Sequence, residues 1–214
     1  MTIAVLGGTG KEGTGLAARW ARAGHAIVLG SRDAERARAA AAALRARTGA
    51  EAVTGDTNAA AAAAGDVLVV ALPYEGLAGT LPALRDASRA KVVVSAVVPL
   101  TFGGPRLYTP PPAGSAAEEV QALLPEARVV AAFHHIAAHA LTTLDAPIDC
   151  DLLLCGGDAE AKQTVVELGR ALGLRAIDVG PLTNAGPLEA ITAVLAAINR
   201  RYRRTSAGIR ITGL

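Results

Sequence analysis

Short runs of Val, Ile and Leu alternate with longer stretches of helix-forming residues along the first two-thirds of the chain. Ile3–Leu6, Ala26–Leu29, Ala52–Thr54, Val67–Leu72, Lys91–Ser95 and Val129–Phe133 predict strands. Between them, Thr14–Ala23, Ala34–Arg47, Asn58–Ala64, Leu77–Ala87 and Ser115–Leu124 predict helices, and Ser115 with Glu118 three residues on forms a capping-box pattern. Such alternation predicts an α/β fold: a mostly parallel sheet with helices on both faces. The segment Pro99–Gly114, with its Pro-Pro-Pro run, breaks the pattern and predicts a long irregular loop, a candidate lid. Beyond His134 the pattern resumes with a strand at Asp151–Leu154, a helix at Ala159–Ala171, a strand at Arg175–Val179 and a last helix at Leu188–Arg204. We therefore expect a larger unit, 1–128, and a smaller C-terminal α/β portion, 129–214. No internal repeat is present.

Composition narrows the classes. Of 214 residues 51% are hydrophobic and 19% charged, enough for a packed core and unlike a disordered chain. A net charge of +2 argues against nucleic acid or a membrane surface as the partner. No apolar run reaches roughly 18 residues, the span of a bilayer; Asp66 separates the alanine-rich stretch from Val67–Leu72. Two cysteines, Cys150 and Cys155, do not form a disulfide framework, and the opening strand-like run lacks the basic start of a signal peptide. The expectation is a cytoplasmic protein.

Gly8-Thr9-Gly10-Lys11-Glu12-Gly13 stands directly between the first strand and the first helix. Glycine permits a tight turn and close approach of backbone to a pyrophosphate, while the helix N-terminus offers free N–H groups and the positive end of its dipole. In this strand–turn–helix context the motif predicts a Rossmann-type, doubly wound dinucleotide-binding unit. An acid at the end of the second strand would accept from an NAD ribose. This chain instead has Gly30-Ser31-Arg32, with Arg36 a turn later, a hydroxyl and two guanidinium groups suited to the 2′-phosphate of NADP. Asp33 is placed to cap the next helix. Leu72-Pro73-Tyr74 ends the fourth strand at the same sheet edge, on the side expected for the nicotinamide ribose.

His134 and His135 follow the sixth strand, with His139 four residues on. They could anchor a planar substrate, or join a cysteine around a metal, but no further ligand stands at zinc spacing, so no metal is expected. The only lysines are Lys11, Lys91 and Lys162, and neither a Tyr-x-x-x-Lys pair nor a Gly-x-Ser-x-Gly elbow occurs. Reduction of a carbonyl needs a proton donor for the developing alkoxide. Hydride transfer between two cofactors needs chiefly stacked rings and a dry gap.

Leu6-Gly7-Gly8-Thr9-Gly10, Gly30-Ser31-Arg32, Val94-Ser95-Ala96-Val97-Val98-Pro99, Ala132-Phe133-His134-His135-Ile136 and Asp178-Val179-Gly180-Pro181-Leu182 carry a wider resemblance. So do Asn199-Arg200-Arg201-Tyr202 and Gly208-Ile209-Arg210-Ile211. Over nearly its whole length the chain resembles the coenzyme-F420-dependent NADP oxidoreductases. The resemblance implies reversible hydride transfer between NADP(H) and an 8-hydroxy-5-deazaflavin, with no catalytic side chain. It implies NADP held by Thr9, Ser31 and Arg32, the deazaflavin near Val98, His134 and Ile136, and a homodimer. Ala137, where the family commonly has proline, and Pro187 depart from its pattern. Two alternatives stay open: an NADP-dependent reductase of a flavin, metal chelate or small imine or carbonyl compound, and a non-catalytic NADP(H) sensor. Arg200, Arg201, Arg203 and Arg204 either complement the last helix dipole or meet the anionic tail of the deazaflavin that the resemblance implies.

Overall fold

The computed structural model describes residues 1–104 and 106–214; Pro105, within the expected 99–114 loop, lies outside the described residues. In chain order the elements are β1 (Thr2–Leu6), α1 (Lys11–Arg22), β2 (Ala26–Ser31), α2 (Ala34–Thr48), β3 (Val53–Thr57), α3 (Asn58–Ala64), β4 (Val67–Val70), α4 (Leu77–Thr80) and α5 (Arg85–Ser88). They continue with β5 (Val92–Ser95), α6 (Ala116–Leu123), β6 (Arg128–Ala131), α7 (Ala138–Thr142), β7 (Asp151–Gly156), α8 (Ala159–Ala171), β8 (Arg175–Asp178) and α9 (Ala185–Tyr202). The strands form one sheet in the order β3-β2-β1-β4-β5-β6-β7-β8. All neighbours run parallel except β6 and β7, which pair antiparallel through Val130↔Gly156 and Ala131↔Cys155. The order of the first six strands is that of a Rossmann fold, with its switch point between β1 and β4.

Successive side chains of a strand face opposite ways, and here both faces are covered, so the central strands are mostly apolar. Ile3 and Val5 of β1, with Ile27, Leu29, Val69 and Val94, pack under Leu16 and Trp20 of α1, Leu44 of α2, and Val165 and Leu168 of α8. Ala4 and Leu6, with Leu68, Val70 and Val93, meet Ala61 and Ala62 of α3, Leu81, and Val120 of α6. A third cluster joins Leu188 of α9 to Leu153 and Cys155 of β7.

The expected single helix at Leu77–Ala87 is broken into α4, a 3-10 stretch at Leu81–Leu84, and α5. Pro82 has no N–H to bond the carbonyl four residues back, so a continuous α-helix cannot pass through it. The last helix begins three residues earlier than its apolar pattern indicates. Pro187 thus occupies the first turn of α9, where backbone N–H groups have no helical acceptor. Helix α7 carries no periodic signal, being only five residues long. It is held from outside: Arg19 of α1 donates to the carbonyls of Ala140, Leu141, Thr143 and Ala146 at 2.7–3.0 Å. Asp33 caps α2, accepting from the N–H groups of Glu35 and Arg36. Ser115 accepts from Glu118 N–H at 3.1 Å, but the Glu118 carboxylate takes the Ser115 hydroxyl rather than closing the box on its backbone.

Candidate functional site

The turn between β1 and α1 is mostly glycine: Gly7, Gly8 and Gly10 surround Thr9. Gly7 has φ +76°, and a Cβ there would lie 2.7 Å from the carbonyl oxygen of Ala71 at the end of β4. The turn is therefore pressed onto the next strand. Gly10 is different: a Cβ there would approach only the Gly7 carbonyl, at an ordinary 3.5 Å. Nothing in the protein requires glycine at this exposed position, whereas close approach of a phosphate would. Gly10 is the N-cap of α1 and supplies no side-chain cap, so the first-turn N–H groups are left for a ligand. Thr9 flanks the turn half-buried, Lys11 is exposed and Gly13 is buried. Thr14 Oγ1 donates to Gly8 O at 2.9 Å, and the buried Asn58 at the start of α3 accepts from Gly7 N–H at 3.3 Å. Asn58 was not read from the sequence; only its place directly after a strand could have pointed to it.

Ser31 is the last residue of β2, buried, with its hydroxyl accepting from Asp33 N–H at 3.2 Å. Arg32 and Arg36 lie beside it, both exposed. Among the described residues neither has a carboxylate within salt-bridge distance, while the nearby Glu35 pairs with Arg38. One hydroxyl and two uncommitted guanidinium groups thus share the end of β2.

On the other side of the glycine turn, beyond the ends of β4, β5 and β6, lies a cavity of about 380 Å³. Leu72, Pro73 and Tyr74 line it from β4, Val98 and Leu100 from the segment after β5, His134 and Ile136 from the segment after β6, and Thr192, Leu195 and Asn199 from α9. Phe102, exposed on the segment that folds back through the Leu100↔Tyr108 bridge, stands at its mouth. The three α9 residues and Phe102 were not identified from sequence, because a helix's apolar pattern does not distinguish a pocket wall from core.

His134 is brought inward by strain. Phe133 has φ +68°, a conformation that costs about 1–3 kcal/mol in a non-glycine residue. Its fully buried ring meets Trp20 edge-on at 5.3 Å, and Trp20 Nε1 donates to Leu168 O at 3.0 Å. The reversal closes with Ile136 N–H donating to Phe133 O at 2.9 Å. His134 then sits buried with both ring nitrogens lacking hydrogen-bond partners. Burial, and then the neighbouring His135, push its pKa down to about 3; the carbonyls of Ala132 and Leu188 pull the other way without reaching hydrogen-bond geometry. His135 serves the fold, since its Nε2 lies 3.2 Å from Leu153 N–H and 3.0 Å from Asp151 O. Glu12, in the first turn of α1, is a half-buried residue on the cavity wall; its Oε1 is buried without a hydrogen-bond partner, and burial raises its carboxyl to about 8. Tyr74 donates to Glu119 Oε2 at 2.7 Å.

The chain's end completes the wall. Asp151 N–H donates to Ile209 O at 2.8 Å and its carboxylate accepts from Ile211 N–H at 2.7 Å, placing Ala207 on the cavity. Arg200, Arg201, Arg203 and Arg204 are exposed at the end of α9. No group of three or more His, Cys, Asp or Glu side chains that could hold a metal ion occurs among the described residues. No helix there is long and apolar enough to cross a membrane.

Fold and site define a Rossmann-type nucleotide-binding protein with an apolar second pocket beside the glycine turn. The chain belongs to the family of coenzyme-F420-dependent NADP oxidoreductases. Residues 2–99 match the family described as NADP oxidoreductase, coenzyme F420-dependent. The F420-dependent NADP reductase of Methanocaldococcus jannaschii is 43% identical over 100% of this chain and 99% of its own. That of Methanothermobacter thermautotrophicus is also 43% identical, over 100% and 96%. A solved structure from Arthrobacter sp. FB24, provisionally assigned as an F420-dependent NADP reductase, superposes with a TM-score of 0.85 at 26% identity and 99% coverage of both chains.

A neutral buried His134 makes the protein acid-sensitive. Its folded pKa lies below the ordinary value, so the unfolded chain binds the proton first. Stability should fall as pH drops from about 6.5 toward 3, by up to about 1.4 kcal/mol per pH unit from this residue. Urea denaturation between pH 7 and 4.5 should show a steeper loss in wild type than in His134→Leu. Equal slopes would mean that His134 is not held neutral.

Proposed function

We infer that this protein transfers a hydride reversibly between NADP(H) and the deazaflavin coenzyme F420. The observation that carries this is full-length similarity to F420-dependent NADP reductases, combined with a largely apolar cavity beside the glycine turn. The two coenzymes supply the hydride chemistry when bound, and the protein's part is to bind, align and exclude water.

On this reading Gly8, Thr9, Gly10, Lys11 and Gly13 surround the pyrophosphate, with the uncapped N–H groups of α1 as donors, and Glu12 meets the cofactor from the cavity side. Ser31, Arg32 and Arg36 take the 2′-phosphate. Their freedom from carboxylate partners supports this, because a paired guanidinium would have to surrender its partner first. Leu72, Pro73 and Tyr74 flank the nicotinamide ribose. Val98, His134 and Ile136, which line the cavity together, seat the deazaflavin ring. No side chain is assigned a catalytic role. Residues 1–128 form the NADP-binding unit, and 129–214 complete the acceptor pocket through the His134 turn, α9 and the tail.

The working form is a homodimer. Val194, Ile198 and Tyr202, four residues apart on α9, form an exposed apolar stripe suited to a second copy. A cytoplasmic location fits two free, buried cysteines.

Mixing the protein with NADPH and oxidised F420 should bleach the visible absorbance of the deazaflavin, whereas a sensor would bind NADPH and leave the colour unchanged. Arg32→Ala should raise KM for NADPH roughly ten- to hundredfold, the worth of a charge-assisted hydrogen bond, and leave KM for NADH nearly unchanged; equal losses would remove Arg32 from the 2′-phosphate. Light scattering should return twice the 21.5 kDa of one chain, and a monomer in both wild type and Ile198→Asp would overturn the dimer.

A further inference from the structure

Ring-to-ring hydride transfer asks for no carboxyl from the protein, yet Glu12 stands on the cavity wall. Glu12 Oε1 is buried without a hydrogen-bond donor, and no Lys, Arg or Asp lines the cavity among the described residues. The other titratable groups facing it are held in one state. His134 and His135 are neutral, kept below their ordinary range chiefly by burial, and the Tyr74 phenol, bonded to Glu119, is pushed up to about 12. Glu12 stands in the first turn of α1. The cavity it faces lies beyond β4, β5 and β6, on the opposite side of the glycine turn from Ser31 and Arg32. If phosphates occupy the turn, Glu12 therefore faces the nicotinamide half of the dinucleotide.

We propose that Glu12 discriminates the redox state of the bound coenzyme: its carboxylate is the counter-charge for the oxidised, cationic nicotinamide ring, and its protonation favours the neutral, reduced one. The proposal rests on the NADP(H) reading of the site. Inside a poorly hydrated cavity an unpaired carboxylate is unfavourable, whereas one beside a cation is stabilised. Binding NADP⁺ to the protonated protein expels the Glu12 proton to solvent, leaving a carboxylate paired with the ring. NADPH, whose ring is neutral, binds without proton release.

Reciprocity fixes the pH dependence: if NADP⁺ lowers the Glu12 pKa, raising the pH must tighten NADP⁺. The free protein's carboxyl titrates near 8, and bound NADP⁺ moves it lower. The Kd of NADP⁺ therefore falls as pH rises toward 8 and levels above it, while that of NADPH does not fall. The 2′-phosphate and pyrophosphate are common to both forms and cancel in the ratio of the two constants. Low pH thus favours retention of NADPH and release of NADP⁺.

Titration calorimetry of the full chain with NADP⁺ and with NADPH, from pH 7 to 9.5, tests this in wild type and Glu12→Gln. The ratio Kd(NADP⁺)/Kd(NADPH) should fall roughly tenfold across that range in wild type, within the usual span of linked sites, and stay flat in Glu12→Gln. At pH 7.5, two buffers of different ionisation enthalpy should reveal proton release on binding NADP⁺ and none on binding NADPH. This measurement uses wild type alone and decides the matter if the variant does not fold. Equal slopes in both proteins, or equal proton counts for both dinucleotides, would overturn the role of Glu12. Failure of either dinucleotide to bind would instead overturn the NADP(H) reading.

Discussion

Close contact between the β1–α1 turn and the end of β4 is the constraint on which the site depends. With Gly7 in a left-handed conformation against the Ala71 carbonyl, there is room for nothing larger than hydrogen, and the first turn of α1 is delivered open-ended to the switch point of the sheet. Asn58 ties the same turn to α3. The strand order then divides the surroundings: Ser31 and the two arginines at the end of β2 on one side, the apolar cavity beyond β4, β5 and β6 on the other. A dinucleotide with charged and neutral ends matches that division.

Water exclusion organises the cavity half. Burial favours the uncharged form of both His134 and Glu12, though one is a base and the other an acid. The cavity's shape depends on distant packing: the Phe133 backbone is strained, and the contact with Trp20 on α1 holds it there. Arg19 on the same helix fastens α7, and Asp151 fastens the tail. Helix α1 thus carries the glycine turn at one end and braces the cavity wall along its length.

The parts legible in the sequence are those with local signals. Eight strands and the longer helices follow from alternating apolar runs, because the central strands are buried on both faces even though the edge strands β3 and β8 are partly exposed; the glycine turn and Gly30-Ser31-Arg32 follow from backbone geometry and charge. Less legible were features set by tertiary contact. Helix α7 is too short for periodicity and exists because Arg19 satisfies its carbonyls. Pro82 breaks a helix whose apolar pattern continues past it. Thr192 and Asn199 look like any residues of an amphipathic helix until α9 is seen beside the cavity. His134 and His135 adjoin in sequence and both border the cavity, yet only His135 bonds the β7 backbone, a difference that residue type and spacing do not show.

The central claim is that the hydride passes directly between the two rings, with the protein supplying alignment and dryness. It is tested most directly by running the reaction of NADPH with F420 in D₂O and examining C5 of the reduced deazaflavin by NMR. Direct transfer predicts protium alone in the newly formed position after a single turnover. Deuterium there would mean that the transferred hydrogen had exchanged with solvent, and would contradict a dry, direct passage.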